Sequence, residues 1–356
     1  MSSQKQIQLK KQVSPFEKTD TKRSIMQLIN TFIPFFGLWF LAYQSLSVSV
    51  WLSLALSIIA SGFLVRIFII FHDCTHMSFF KRGKANRVLG TITGIMTHFP
   101  YEKWKREHAI HHATSGNLDK RGTGDIWVMT VEEYVQSSWW NRLVYRLYRN
   151  PIVLFGLGPF YLLLLSNRVN RKGARRKERW NTYLINISIV VIYVLLAWAI
   201  GWQALLTIQL PMIYIAAALG IWLFYVQHQF EDSYFENEED WDYVKAAVDG
   251  SSYYQLPKVL QWLSGNIGFH HVHHLSPRVP NYHLEKAHET VPPLQKVTTI
   301  TLLSSLKAIR FRLYDQATRS FINFKQFQEL KKSNKHLNRS GLQIHLKKSA
   351  ELHDEP

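Results

Sequence analysis

Cysteine is nearly absent from this chain. Cys74 is the one thiol among 356 residues, which rules out a disulfide framework and excludes thiolate zinc and iron–sulfur sites as the main chemistry. A Gly-rich dinucleotide fingerprint, a flavin motif and a haem motif are missing too, so no bound NAD, flavin or haem is expected. The most telling absence is charge. From Ser24 to Val65, 42 consecutive residues carry neither a charge nor a histidine, and a second such run extends from Asn181 to Gln227. As one helix the first run would be about 63 Å long, about twice a hydrocarbon core of ~30 Å. Two spans joined by a tight turn fit better, with QSLSVS from Gln44 as the turn and Ala199–Gln203 breaking the second run. Apolar stretches of this length rarely serve a soluble core. The expectation is an all-α integral membrane protein: four transmembrane helices in two hairpins, at about 25–43, 50–70, 182–199 and 204–226.

Where charge is present, it is mostly positive: 42 Lys and Arg against 25 Asp and Glu, a formal net charge of +17. The two turns carry none of it. The first 23 residues, the segment Lys81–Arg106 and the run RVNRKGARRKERW from Arg168 are rich in cations. The positive-inside rule then puts both termini and a cap made of residues 71–180 and 228–322 in the cytoplasm of a cell-membrane protein. Beside a span, such a basic run marks topology and contacts anionic head groups, and no nucleic acid is expected as a partner. Residues 1–23 read as a basic cytoplasmic tail, not as a cleaved signal peptide. Two shorter apolar stretches, Val88–Tyr101 and Asn150–Asn167, are read as interfacial or re-entrant. If both crossed, residues 102–149 with their eight Lys and Arg would lie on the other face. Near the end, Leu302, Leu306, Ile309 and Leu313 share one face of a helix predicted over Thr301–Leu313, lying on the cap or at the interface. The membrane domain thus covers 24–322, followed by a polar tail, 323–356, expected to be mobile.

Against this background the histidines stand out. Of 16 in the chain, nine fall just beyond the apolar runs. His72 and His76 form H-x-x-x-H at the exit of the second span; His108, His111 and His112 form H-x-x-H-H in the central loop. His270, His273 and His274 form a second H-x-x-H-H after the fourth span, and His228 stands at that span's exit. Residues three and four apart share a helix face, so each cluster aims two or three imidazoles at a common point. Neutral imidazole is a good ligand for iron, copper, zinc and nickel. Nine such ligands are too many for one ion and about right for two. Taken singly, each cluster also reads as interfacial histidines, a nonspecific metal-collecting tract or a polar helix end. One polynuclear site explains all four together.

The three boxes, HDCTH from His72, HAIHH from His108 and HHVHH from His270, resemble those of the membrane fatty acid desaturase and hydroxylase superfamily, over about Phe32 to Tyr282. The stretches NTFIPFFGLWFLAY, RIFIIFHDC, HHATSGNLDKRGTGDIW and WLFYVQHQFEDSYFE are more specifically similar to the acyl-lipid Δ5 desaturases of Gram-positive bacteria. The resemblance implies a di-iron centre held by His72, His76, His108, His111, His112, His270, His273 and His274, with His228 as an additional ligand. His271 occupies a variable box position and is left out. It further implies O2 as co-substrate, acyl chains of membrane phospholipids as substrate, a cis double bond at Δ5 and a role in membrane fluidity in the cold. Ferredoxin or flavodoxin would be the electron donor.

A di-iron pair suits the activation of O2 and the removal of hydrogen from an unactivated methylene, which side-chain acids and bases cannot achieve. Acidic donors would dock on the basic face formed by Lys103, Lys105, Arg106, Arg175, Arg176 and Lys177. Carboxylates and amides that could accept the ligands' other N–H groups are Asp73, Asp119, Asp125, Glu231 and Asn266, which also read as loop or capping residues. Trp104, four residues before His108, lines the acyl channel or belongs to an interfacial belt. The alternatives are a lipid hydroxylase of the same superfamily and a metal-handling membrane protein. The second is disfavoured because the two charge-free runs carry no ionisable ligand along a pathway.

Overall fold

In a computed structural model of the protein, which describes residues 3–336, four helices are long and apolar enough to cross a membrane: α2 (Thr21–Ser45), α3 (Val50–Thr75), α9 (Arg176–Ile200) and α10 (Trp202–His228). Their pairing as two hairpins follows from local chemistry. Asp20 caps α2 by accepting from the Lys22 and Arg23 amides. The polar turn after Ser45 reverses the chain into α3, and Gly201, at φ +82°, separates α9 from α10 in a conformation that disfavours side chains. At 26 and 27 residues, α3 and α10 are each about 40 Å long. Both outrun the hydrocarbon and carry histidines beyond it.

Between the hairpins, α4 (Gly83–Thr97) runs back along α3 and α5 (Tyr101–Thr114) returns. The descent is close-packed: a Cβ at Gly90 would meet the Tyr101 ring at 2.2 Å, and one at Gly94 the Phe99 carbonyl at 2.5 Å. Helix α4 has 15 residues, too few to span. The other short apolar stretch belongs to a bent pair, α7 (Trp139–Tyr148) and α8 (Ile152–Arg168), which meet at 63°. Helix α6 (Val131–Gln136) precedes them, held by a capping box between Thr130 and Glu133.

The cap is not purely helical. Besides α11 (Tyr243–Val248), α12 (Lys258–Leu263), α13 (His270–Leu275) and α14 (Asn281–Thr290), it holds two small sheets. One pairs β2 (Tyr253–Gln255) with β3 (Thr299–Thr301) in parallel. The other orders β1 (Met129–Thr130), β4 (Leu313–Asp315) and β5 (Ser320–Ile322) as β1-β4-β5. The amphipathic helix expected over Thr301–Leu313 is therefore shorter: α15 covers Leu302–Ala308, and Leu313 begins a strand. Its buried residues are Ser305 and Ala308, while Leu302, Leu303 and Leu306 are exposed.

Both tails contain a helix. The basic N-terminal stretch forms α1 (Ser3–Val13), whose Leu9 and Val13 are buried with Val272, Leu275 and Val279 in one core. Two apolar residues one helical turn apart outweigh the cations between them. Helix α16 (Phe324–His336) occupies the start of the polar tail, anchored by Phe327 against the Tyr134 ring at 5.3 Å; residues 337–356 of that tail lie outside the described ones.

Candidate metal centre

The ends of α3 and α10 and the helices α5 and α13 converge, and they bring the nine box histidines together. His72, His76, His108, His112 and His273 form one group, and His111, His228 and His274 a second. Within each, the ligand atoms lie within 4.8 Å of one another. His270 joins the second group, its Nε2 3.0 Å from that of His228. The His112 and His274 rings, 4.3 Å apart, connect the two.

The protons show what such an arrangement needs. His111 Nδ1 lies 2.5 Å from Asp125 Oδ1, and His228 Nδ1 lies 3.2 Å from the Gly250 carbonyl. Both partners accept, so in each neutral ring the proton sits on Nδ1 and Nε2 is a bare lone pair. Yet the two Nε2 atoms face each other at 3.2 Å. Two lone pairs at that distance repel unless a cation lies between them. The first group has the same character. His72 Nδ1 is turned to Asp73 at 3.3 Å, and its Nε2 begins a series, His72–His108–His112–His273, with steps of 3.0, 3.0 and 2.9 Å. Two ligand nitrogens about 2.1 Å from one ion and about 90° apart would be about 3.0 Å from each other. The residues fit two metal ions. Burial, reinforced by the neighbouring imidazoles, holds His76, His108, His112, His270, His273 and His274 well below the usual histidine range. They are therefore neutral at pH 7, the form that ligates.

The residues expected to support the ligands divide. Asp73 and Asp125 face the Nδ1 atoms of His72 and His111. Asp119 does not: its carboxylate accepts from the Glu238 amide. Glu231 is exposed and contributes its backbone carbonyl to Phe321. Asn266 takes φ +59° in the turn before α13 and donates to the Asn281 carbonyl. Trp104 stacks on His108 at 4.1 Å and meets Phe71 and Phe68 edge-on. Together they give the first group an apolar floor on the membrane side, and Phe224 takes the same place beside His111 and His228. Of the docking cations, Lys103 is buried with its ammonium given to the Ser166 and Val169 carbonyls, Arg106 is paired with Glu178 and Lys177 with Glu102. Arg175 and Arg176 remain exposed. The Gly250 carbonyl, 22 residues from His228, gave no signal in the sequence.

The Asp125 pairing carries a prediction. Asp125→Ala leaves the His111 proton without its acceptor and the ring free to turn. Metal affinity at the second group is expected to fall about 10- to 100-fold, measured by iron titration of the purified protein. An unchanged affinity would remove Asp125 from the site.

Comparison with known proteins agrees with this geometry. The family described as Fatty acid desaturase matches residues 49–300. The chain is 60% identical over 326 residues to a fatty acid desaturase of Bacillus subtilis (strain 168), covering 92% of this chain and 93% of that one. It is 28% identical over 241 residues to the sn-1 acyl-lipid omega-3 desaturase (ferredoxin) of Synechocystis sp. (64% of each chain). It is also 28% identical over 235 residues to the chloroplastic omega-6 fatty acid desaturase of Arabidopsis thaliana, covering 63% of this chain and only half the length of that relative.

Proposed function

The chain belongs to the fatty acid desaturase family, and within it we propose an O2-dependent di-iron acyl-lipid desaturase that places a cis double bond, at Δ5, in saturated acyl chains of membrane phospholipids. The observation that carries this reading is the pair of facing lone pairs on His111 and His228 beside a second cluster of five imidazoles. When bound, two irons supply the activation of O2 and the removal of two hydrogens from adjacent methylenes, with O2 leaving as water.

The protein's share is holding and excluding. In this reading all nine box histidines are ligands, and Asp73, Asp125 and the Gly250 carbonyl hold the Nδ1 protons so that Nε2 faces the metals. Trp104, Phe68, Phe71 and Phe224 form the dry side along which an acyl chain rises from the bilayer, while α1 covers α13 on the opposite side. The site and both termini would be cytoplasmic, supported by the basic stretches flanking the spans. Electrons come from a ferredoxin or flavodoxin, a reading supported by the ferredoxin named for the Synechocystis relative. The docking face narrows to the exposed Arg175 and Arg176, with Lys105 half-buried beside them and its ammonium 5.9 Å from the centroid of the Tyr101 ring. By domain, residues 24–322 would form the catalytic unit with α1 as its cover.

Mass spectrometry of membrane fatty acids tests this, in a host without its own desaturase, grown cool with iron and a donor supplied. A monounsaturated chain whose bond derivatisation places at Δ5 is the expected product. A hydroxylated chain would make the protein a hydroxylase, and no new product would contradict the enzyme reading.

A further inference from the structure

We propose that Asn281 and Gln27 are positioning residues for the metal ligand His72, acting through Asp73. The inference rests on the reading of His72 as a ligand and concerns how that ligand is aimed. His72, Asp73, Asn281 and Gln27 are each at most 3% exposed, and they form one hydrogen-bonded line across three helices. Gln27 Nε2, on α2, donates to Asn281 Oδ1 at 3.0 Å. That contact fixes the direction of the Asn281 amide, whose Nδ2 then donates to Asp73 Oδ2 at 2.8 Å. The backbone amide of Asn281, first residue of α14, donates to the same oxygen at 2.7 Å, placing the carboxylate at the positive end of that helix. With Oδ2 occupied twice, Oδ1 is left for the Nδ1 proton of His72 at 3.3 Å. Among the described residues no lysine or arginine pairs with Asp73, so its orientation depends on these donors.

The consequence is selective. The equivalent carboxylate of the second group, Asp125, is partly exposed and takes one backbone donor, the Gly122 amide. Loosening the Asn281 line should therefore disturb the group containing His72 and spare the group of His111, His228 and His274. A buried Asn281 that merely fastened α14 to α3 would instead lower stability without choosing between metals.

The test uses the full chain in detergent, stripped of metal and titrated anaerobically with ferrous iron, with 57Fe Mössbauer spectra of the loaded protein. Asn281→Leu keeps the size of the side chain and removes both amide contacts. One of the two irons is expected to bind about 10- to 100-fold more weakly, with one spectral component altered and the other iron unchanged; the orphaned Gln27 amide lowers the metal-free unfolding midpoint as well, but that loss does not choose between the irons. Gln27→Leu leaves both donors to Asp73 in place and is the milder variant, expected to weaken the same iron by a smaller factor. Asn266→Gly, which keeps the φ +59° turn and removes only the side-chain bond to the Asn281 carbonyl at 3.3 Å, should change neither. Unaltered affinities in Asn281→Leu and Gln27→Leu would overturn the proposal, and so would equal weakening of both irons tracking a loss of metal-free stability. A wild-type chain that takes up no iron would overturn the di-iron reading itself, a result distinct from any ratio between variant and wild type.

Discussion

Replacing His273 with alanine is expected to abolish unsaturated product in the membrane lipids, to below detection by gas chromatography with mass spectrometry. His273 joins α13 to both other boxes of the first group. Its Nε2 lies 2.9 Å from that of His112, and its ring centroid is 4.3 Å from His72 and 4.9 Å from His76. In the proposed di-iron reading, alanine removes a ligand from the middle of this cluster and leaves a buried gap in its place. If the reaction needs two irons close together, as proposed, it has no partial version when one is loosened. His336→Ala, at the end of α16 and remote in sequence from the boxes, is expected to leave product unchanged. Product retained in His273→Ala would mean that the third box is not part of the metal site.

The second large effect is on stability. Arg149 is fully buried at the end of α7, and its guanidinium reaches four places in the cap. It donates to the Trp127 carbonyl at 3.2 Å, the Tyr225 hydroxyl at 3.2 Å, the Gln229 side-chain carbonyl at 3.0 Å and the Phe311 carbonyl at 2.9 Å. Tyr225 also serves Phe311, so Arg149→Ala orphans chiefly the Trp127 and Gln229 oxygens and opens a cavity. At about 1–3 kcal/mol for each orphaned buried group, a loss of about 3 kcal/mol is expected, seen as a lower unfolding midpoint in detergent. Gln229 follows His228 directly, so metal uptake should weaken as well. Arg149→Lys would restore little, because one ammonium cannot reach four acceptors in these directions. A midpoint equal to wild type would show that water replaces the guanidinium at no cost.

Much of this was legible because hydrocarbon is an exacting solvent. Forty-two residues without charge admit few arrangements, and histidines at i, i+3 and i+4 just beyond them declare both a helix face and a chemistry. The supporting residues were legible only by luck of proximity. Asp73 touches His72 because it is the next residue, and Asp125 reaches His111 across a Gly-containing loop. Asp119, Glu231 and Asn266 are as near in sequence, yet loop direction turns them elsewhere. Asn281 lies 208 residues from the carboxylate it holds, a separation that no local pattern bridges. At the C-terminal side, helical spacing from Leu302 gives way to alternation: Arg310, Phe311, Arg312 and Leu313 alternate charged and apolar with the period of a strand, and β4 pairs there with β1 and β5. At the other end, six cations hid Leu9, Val13 and Phe16, whose spacing was enough to pack on the third box.

Nine histidines are proposed to hold two irons. Elemental analysis of the protein purified anaerobically after loading with ferrous iron tests that proposal most directly. Two irons per chain are expected in the wild type and at most one in His273→Ala. One iron or none in a folded wild-type chain, or zinc retained in preference to iron, would contradict it.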